Sequence, residues 1–187
     1  MGNRRQALLV AALSALVLSV LATAQRREFL TDGEIEAIRE AQDPNDRLKL
    51  YTDFAHQRLW LVEKALAGSE ADRAQQIHTT LSEYNRILEA IDANVDQAVT
   101  RRDLVRKGLE YALKNEPDFL KLLQSFQARN PKDLDEYRFA LSQAIENTKD
   151  GIDGLREALQ KQPKGRQQEK EAREAKNKPD QPKGKKD

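Results

Sequence analysis

Residues 69–114 read SEADRAQQIHTTLSEYNRILEAIDANVDQAVTRRDLVRKGLEYALK. Within them Ala74, Ile77, Leu81, Tyr84, Leu88, Ile91, Val95 and Ala98 recur at alternating steps of three and four. With 3.6 residues per turn, all eight fall on one stripe of an α-helix. Arg102 interrupts the stripe once, and Val105, Leu109 and Ala112 resume it in phase. Gly108 is the first Gly or Pro in the run, at a cost of about 1 kcal/mol relative to Ala. The expectation is one helix from Ser69 to about Lys114, roughly 70 Å long at 1.5 Å per residue. The competing reading breaks it near Thr100-Arg101-Arg102-Asp103 and gives a compact four-helix bundle.

The flanking segments are helical too. Thr31-Asp32-Gly33-Glu34 forms a capping box opening a short helix to about Gln42, with Ile35 and Ile38 inward. Asp43-Pro44 starts the next helix, Pro being favoured where a helix needs no N–H donor. It runs to Leu66 and stops at Gly68, with Leu48, Tyr51, Ala55, Leu59, Val62 and Leu66 on one face. Ser69 is the expected cap of the long helix. Pro117 should start a short amphipathic piece with Phe119, Leu120, Leu123 and Phe126, and Asn130-Pro131 the last helix. No segment alternates with the period of two that a half-buried strand requires. The fold class is therefore all-α: an antiparallel, coiled-coil-like bundle of three main helices around one long central helix, with short extra helices.

The 187 residues suit one domain. The absence of Cys excludes disulfides, zinc–thiolate and iron–sulfur sites, and thiol nucleophiles. Arg4 and Arg5 precede an uncharged run over residues 7–21, and Ala22-Thr23-Ala24 supplies small residues before Gln25. These are the parts of a secretory signal, so residues 1–24 are expected to be removed and the protein to be periplasmic or secreted. The run is short for a membrane span, which needs about 20 apolar residues. Residues 25–160 carry 20 Lys+Arg against 26 Asp+Glu, a net −6. Residues 161–187 carry 10 against 5, a net +5, with Ala172 and Ala175 their only apolar side chains. Such a segment has too little to bury to offset its chain entropy and is expected to be disordered. Its basic charge allows weak contact with anionic surfaces.

No arrangement in the sequence carries recognisable chemistry. Asp53 and His56 stand at i, i+3, but a di-metal bundle needs two Glu-x-x-His pairs, and His78 has Gln75 at the matching place. No Gly-rich phosphate loop and no Gly-x-Ser-x-Gly elbow is present. The reading is a non-enzyme with no catalytic, cofactor or metal residues. Trp60 falls about 100° from the main stripe of its helix, beside Asp53, His56 and Glu63. The first short helix is expected to cover it with Ile35 and Ile38; left exposed, it would anchor a partner. Arg101, Arg102, Arg106 and Lys107 form the densest basic cluster of the body. Asp103–Lys107 and Arg106–Glu110 at i, i+4 account for part of it, and Arg102 marks a place where helix packing opens. Candidate partner-binding residues are thus Trp60, His56, Arg101, Arg102, Arg106 and Lys107. An acidic body outside the cytoplasm argues against nucleic acid as the ligand.

The stretch from Leu30-Thr31-Asp32-Gly33-Glu34 through Glu40-Ala41-Gln42-Asp43-Pro44-Asn45-Asp46-Arg47-Leu48 to Phe54-Ala55-His56-Gln57-Arg58-Leu59 resembles exported helical proteins of bacteria with no assigned activity. Leu30-Thr31-x-x-Glu34 is also similar to the Leu-Thr-x-x-Gln signature of the small periplasmic chaperones of the Spy and CpxP type. Those carry two such motifs with Gln on a cradle-shaped helical hairpin dimer; here there is one, with Glu. The expected function is a non-catalytic interaction or scaffold protein with a protein partner in the cell envelope, a homo-oligomer being compatible with it. The alternatives are a chaperone-like client binder and, after it, a helical enzyme or metal-binding protein.

Overall fold

The computed structural model describes residues 29–165, with 169–171, 173, 174 and 177. The expected signal segment and most of the basic tail lie outside the described residues. Every regular element among those described is helical. None of these helices is long and apolar enough to cross a membrane.

Helix α1 (Asp32–Glu40) opens with both halves of the capping box: Thr31 Oγ1 accepts from the Glu34 N–H (3.2 Å), and Glu34 Oε2 accepts from the Thr31 N–H (2.8 Å). Helix α2 (Pro44–Ala67) starts where Asp43 Oδ1 accepts the Asn45 N–H at 2.8 Å, and Gly68 ends it. Helix α3 (Arg73–Arg101) begins after a turn over residues 70–72 and takes no side-chain cap from Ser69. Its first residue is held instead by charge, since Arg73 pairs with Asp133 at 2.6 Å and donates to the Gly68 C=O at 3.2 Å. Helices α4 (Arg106–Ala128) and α5 (Leu134–Lys161) complete the body.

The single helix expected over residues 69–114 is two helices. Arg102 turns left-handed (φ 57°, ψ 37°), and the Asp103 N–H reaches back to the Ala98 C=O at 2.8 Å. This closes the spent end of α3 in the manner usually left to glycine. The stripe stays in phase across the break, so periodicity alone does not reveal it. Burial supplies the reason. A continuous helix would carry Val105, Leu109 and Ala112 beyond the end of α2, a 24-residue helix, and into water. Turning back buries all three completely.

Two further helix starts move. Pro117 lies inside α4, because Leu109, Ala112, Phe119, Leu123 and Phe126 form one buried stripe that runs through it. Helix α5 starts at Leu134 rather than Pro131, after Asn130 adopts φ 44° and the Leu134 N–H closes a turn on the Pro131 C=O.

The packing pairs two antiparallel hairpins, α2–α3 and α4–α5. Arg58 of α2 meets Glu83 of α3, and Arg106 of α4 meets the Leu159 C=O of α5. Between hairpins the neighbours run parallel. Asn45, His56 and Glu63 of α2 meet Gly108, Phe119 and Arg129 along α4, and Arg73 and Tyr84 of α3 meet Asp133 and Thr148 along α5. The ring order is α2, α3, α5, α4, so the link from α3 to α4 crosses the bundle diagonally. Helices about 10 Å apart make a diagonal of roughly 14 Å. The five steps from Arg101 to Arg106 span at most about 17 Å. All eight stripe residues of α3 are buried, as its place between α2 and α5 requires.

Two substitutions test this base. Arg102→Gly removes the left-handed cost of about 1–2 kcal/mol, partly offset by the greater freedom of Gly in the unfolded chain. The melting temperature should rise by a few degrees in a thermal scan followed by circular dichroism. At Gly108 a Cβ would sit 3.0 Å from two Leu48 side-chain atoms and 3.1 Å from Asn45 Cα. Gly108→Ala, favourable by helix propensity, should instead destabilise by about 1–3 kcal/mol through overpacking, read as a lower denaturant midpoint.

Candidate functional site

The cluster Arg101, Arg102, Arg106 and Lys107 does not form one basic surface. Arg106 is half-buried and donates to the carbonyls of Leu159 (3.3 Å), Gln162 (2.7 Å) and Pro163 (2.7 Å), closing the C-terminal end of α5. Cations suit that end of a helix, where unpaired carbonyls carry negative charge. Gln162 completes the knot, accepting from the Val105 N–H and donating to the Asp103 C=O. The folded body therefore extends past residue 160 to Pro163. Arg101, Arg102 and Lys107 remain exposed around the crossover.

Trp60 is not covered by α1. It is 55% exposed, with the Lys64 ammonium 4.9 Å from its ring centre, and Leu61 beside it is 42% exposed. The short helix is held elsewhere on α2. The Arg58 guanidinium grips the Glu34 carboxylate through two bonds of 2.7 Å, reaches Glu83 at 2.8 Å, and donates to the Phe29 C=O at 2.9 Å. Arg58 is buried, and this network places α1 over the α2–α3 seam. Burial raises the Glu34 carboxyl, but Arg58 and the Thr31 N–H outweigh it and hold the group below the usual carboxylate range.

Above α1, the seam between α2 and the start of α3 stays open. Leu61, Lys64, Ala65, Gly68, Gln76 and Thr80 are among the residues lining a groove of about 580 Å³ there. His56, about 40° from Trp60 around the same helix, faces α4, its ring stacked on Phe119 at 5.5 Å. Asp53 accepts the Tyr111 hydroxyl at 2.6 Å, so Asp53 and His56 turn to separate partners of α4. Of the candidates, Trp60 is exposed at the edge of this groove, next to Leu61 and Lys64 of its lining.

A second groove, of about 360 Å³, runs between α3 and α5 past Asp92, Asp96, Asp150 and Glu157. Glu157 is paired with Lys161 at 2.7 Å. Partial desolvation, then Asp96, Asp150 and Glu89, raises the Asp92 carboxyl. Among the described residues, no group of three or more His, Asp or Glu is placed to hold a metal ion.

Sequence reasoning also missed polar groups in the core, Asn45, Thr148 and Glu116 among them. Asn45 Oδ1 accepts the Gly108 N–H (2.9 Å), while its amide donates to the Leu104 C=O (2.7 Å). Tyr84 and Thr148 share a hydrogen bond of 2.7 Å, and Thr148 also donates to the Ala144 C=O. Glu116 is 1% exposed, and neither carboxyl oxygen has a hydrogen-bond partner. Its signal was present in the sequence: Glu116 follows Leu109 and Ala112 at steps of three and four, on the stripe expected to face inward.

Comparison of the chain with protein-family models, curated proteins and solved structures finds no match.

Arg58→Met should lower the melting temperature by several degrees, since loss of one partner leaves the other charge buried and unpaired. In Arg58→Met with Glu34→Gln part of that loss should return, the coupling being read from the double-mutant cycle. The Glu34 carboxyl is lowered on folding, so its contribution is present above pH 4.5 and fades as pH falls through the folded-state value. Acid should therefore release α1, seen as faster amide exchange over residues 32–40.

Proposed function

We propose that the protein is an exported, non-catalytic helical interaction protein that offers the Trp60–Leu61 edge of α2 to a protein partner in the cell envelope. The exposed Trp60 beside an open groove carries this reading. Large apolar side chains on an otherwise polar surface cost little when they are isolated. Next to a concave surface they supply the anchor and pocket that dominate protein recognition. Lys64 over the Trp60 ring holds the indole in place without covering it. Export rests on the three-part segment at residues 4–24, and the absence of catalytic motifs leaves recognition as the function.

The basic tail supplies a second, weaker contact with anionic envelope material. Its charges act through screened attraction that fades over about 8 Å at physiological salt.

A photo-crosslinking residue at position 60 of the full chain, expressed in a bacterial envelope, tests the edge. It should yield one discrete protein adduct that the same residue at position 121, an exposed α4 position, does not. Equal labelling from both positions would refute the anchor. Stoichiometric suppression of client aggregation, abolished by Trp60→Ala, would move the reading to a chaperone. Removal of residues 166–187 should leave the melting temperature unchanged and abolish salt-sensitive binding to anionic vesicles. Undiminished binding by the truncated protein would refute the tail contact.

A further inference from the structure

Glu116 is an acid placed where its charge cannot be met. Its carboxyl abuts Gly151 of α5, where even a Cβ would lie 3.3 Å from Oε2. From α3, Asp92 presents like charge and Tyr84 a hydroxyl. That hydroxyl is spent: the Thr148 proton goes to the Ala144 C=O, so Tyr84 must donate to Thr148. From α5, Asp150 next to Gly151 adds to the negative field on Asp92. From α2, Asp53 is taken by Tyr111, His56 stacks on Phe119, and the buried cation Arg58 is committed to Glu34 and Glu83. Desolvation first, and Asp92 second, push the Glu116 carboxyl up to about 8. At neutral pH the folded bundle therefore encloses the neutral acid.

The next residue is Pro117. A proline inside a helix cannot donate to the carbonyl four residues before it, here Leu113, and its ring strains that turn. Helix α4 is weakest at the point where the buried charge would appear. Beyond it, contacts such as Phe119, Leu123 and Phe126 in the core, the His56–Phe119 stack and the exposed Arg129–Glu63 pair hold the second half of α4.

We propose that Glu116 and Pro117 form a proton-gated hinge in α4: the bundle closes around the neutral carboxyl, and residues 118–128 loosen from the core when it loses its proton. The sign is set by linkage. The folded state keeps the proton up to about 8, whereas an exposed carboxyl releases it near 4.5. Closing then takes up a proton between those values, so opening grows more favourable as pH rises through that window and levels off above it.

Amide hydrogen exchange of the full-length protein, corrected for intrinsic rates, tests the hinge between pH 6 and 9. Protection over residues 118–128 should fall by about tenfold per pH unit up to pH 8 and then flatten. Protection over residues 81–91 of α3 should hold. Glu116→Gln, which keeps the shape and cannot ionise, should remove the slope. Asp92→Asn should move the flattening to lower pH, because a removed like charge makes ionisation easier. A slope that persists in Glu116→Gln, or no slope in the wild type, overturns the proposal. Parallel loss of protection in α3 overturns the hinge, since opening would then be global. A carbon-13 titration of the Glu116 carboxyl in the wild type provides a reading independent of any variant: a midpoint near 4.5 overturns the proposal, and one near 8 supports it.

Discussion

Everything in the bundle depends on the close approach of α2 and α4 at Asn45 and Gly108. The two helices come near enough that a Cβ at residue 108 would crowd Leu48 and the Asn45 backbone at 3.0–3.1 Å, and the gap is bridged by one side chain. Asn45 accepts the Gly108 N–H, one of the donors a helix start leaves unpaired, and donates to the Leu104 C=O of the crossover. Gln162 does the same for the other side of the link, accepting the Val105 N–H and donating to the Asp103 C=O. A diagonal crossing exposes peptide groups that neither helix can satisfy. At the base of this bundle they are paired by side chains from two other helices, Asn45 at the start of α2 and Gln162 at the end of α5. That pairing allows a link of four residues to turn a continuous apolar stripe back on itself.

The same economy separates the polar groups that the fold pairs from the positions that it leaves unmet. Asn45, Arg58, Thr148 and Gln162 are buried and bonded. Glu116 is buried without a partner, and Trp60 is apolar without cover. The unpaired carboxyl costs stability in the isolated bundle, whereas the exposed indole leaves apolar surface in water. Removal of the Trp60–Leu61 edge from water by a partner recovers the apolar term, and protonation relieves the cost at Glu116. These two positions lie on different helices. The proposed partner-binding edge and the proposed hinge are therefore separable by substitution.

The basic cluster shows why charge density along a chain is a poor guide to a surface. Four cations within seven residues read as one patch on an uninterrupted helix. The helix ends among them, however, and the left-handed turn at Arg102 redirects the chain into α4. Arg106 is drawn under α5, where three carbonyls need it, while Arg101, Arg102 and Lys107 stay in water.

Helix content, the Thr31 and Asp43 starts, the stop at Gly68 and the buried stripe of α3 were all legible in the sequence. They depend on neighbours three or four residues apart and on the fixed period of the helix. The break at Arg102 stood in the sequence only as the competing reading, and the passage of α4 through Pro117 and the start of α5 at Leu134 were not legible. Each was settled by contacts between segments about sixty residues apart, where burial of Val105 and Phe119 outweighs a local preference worth about 1–3 kcal/mol. Of the candidate site, the residue types could be named, but their exposure could not. Whether Trp60 meets solvent depends on where Arg58 holds α1, and whether Glu116 meets a cation depends on which helices surround it. Both are properties of packing, which a pattern along one chain does not contain.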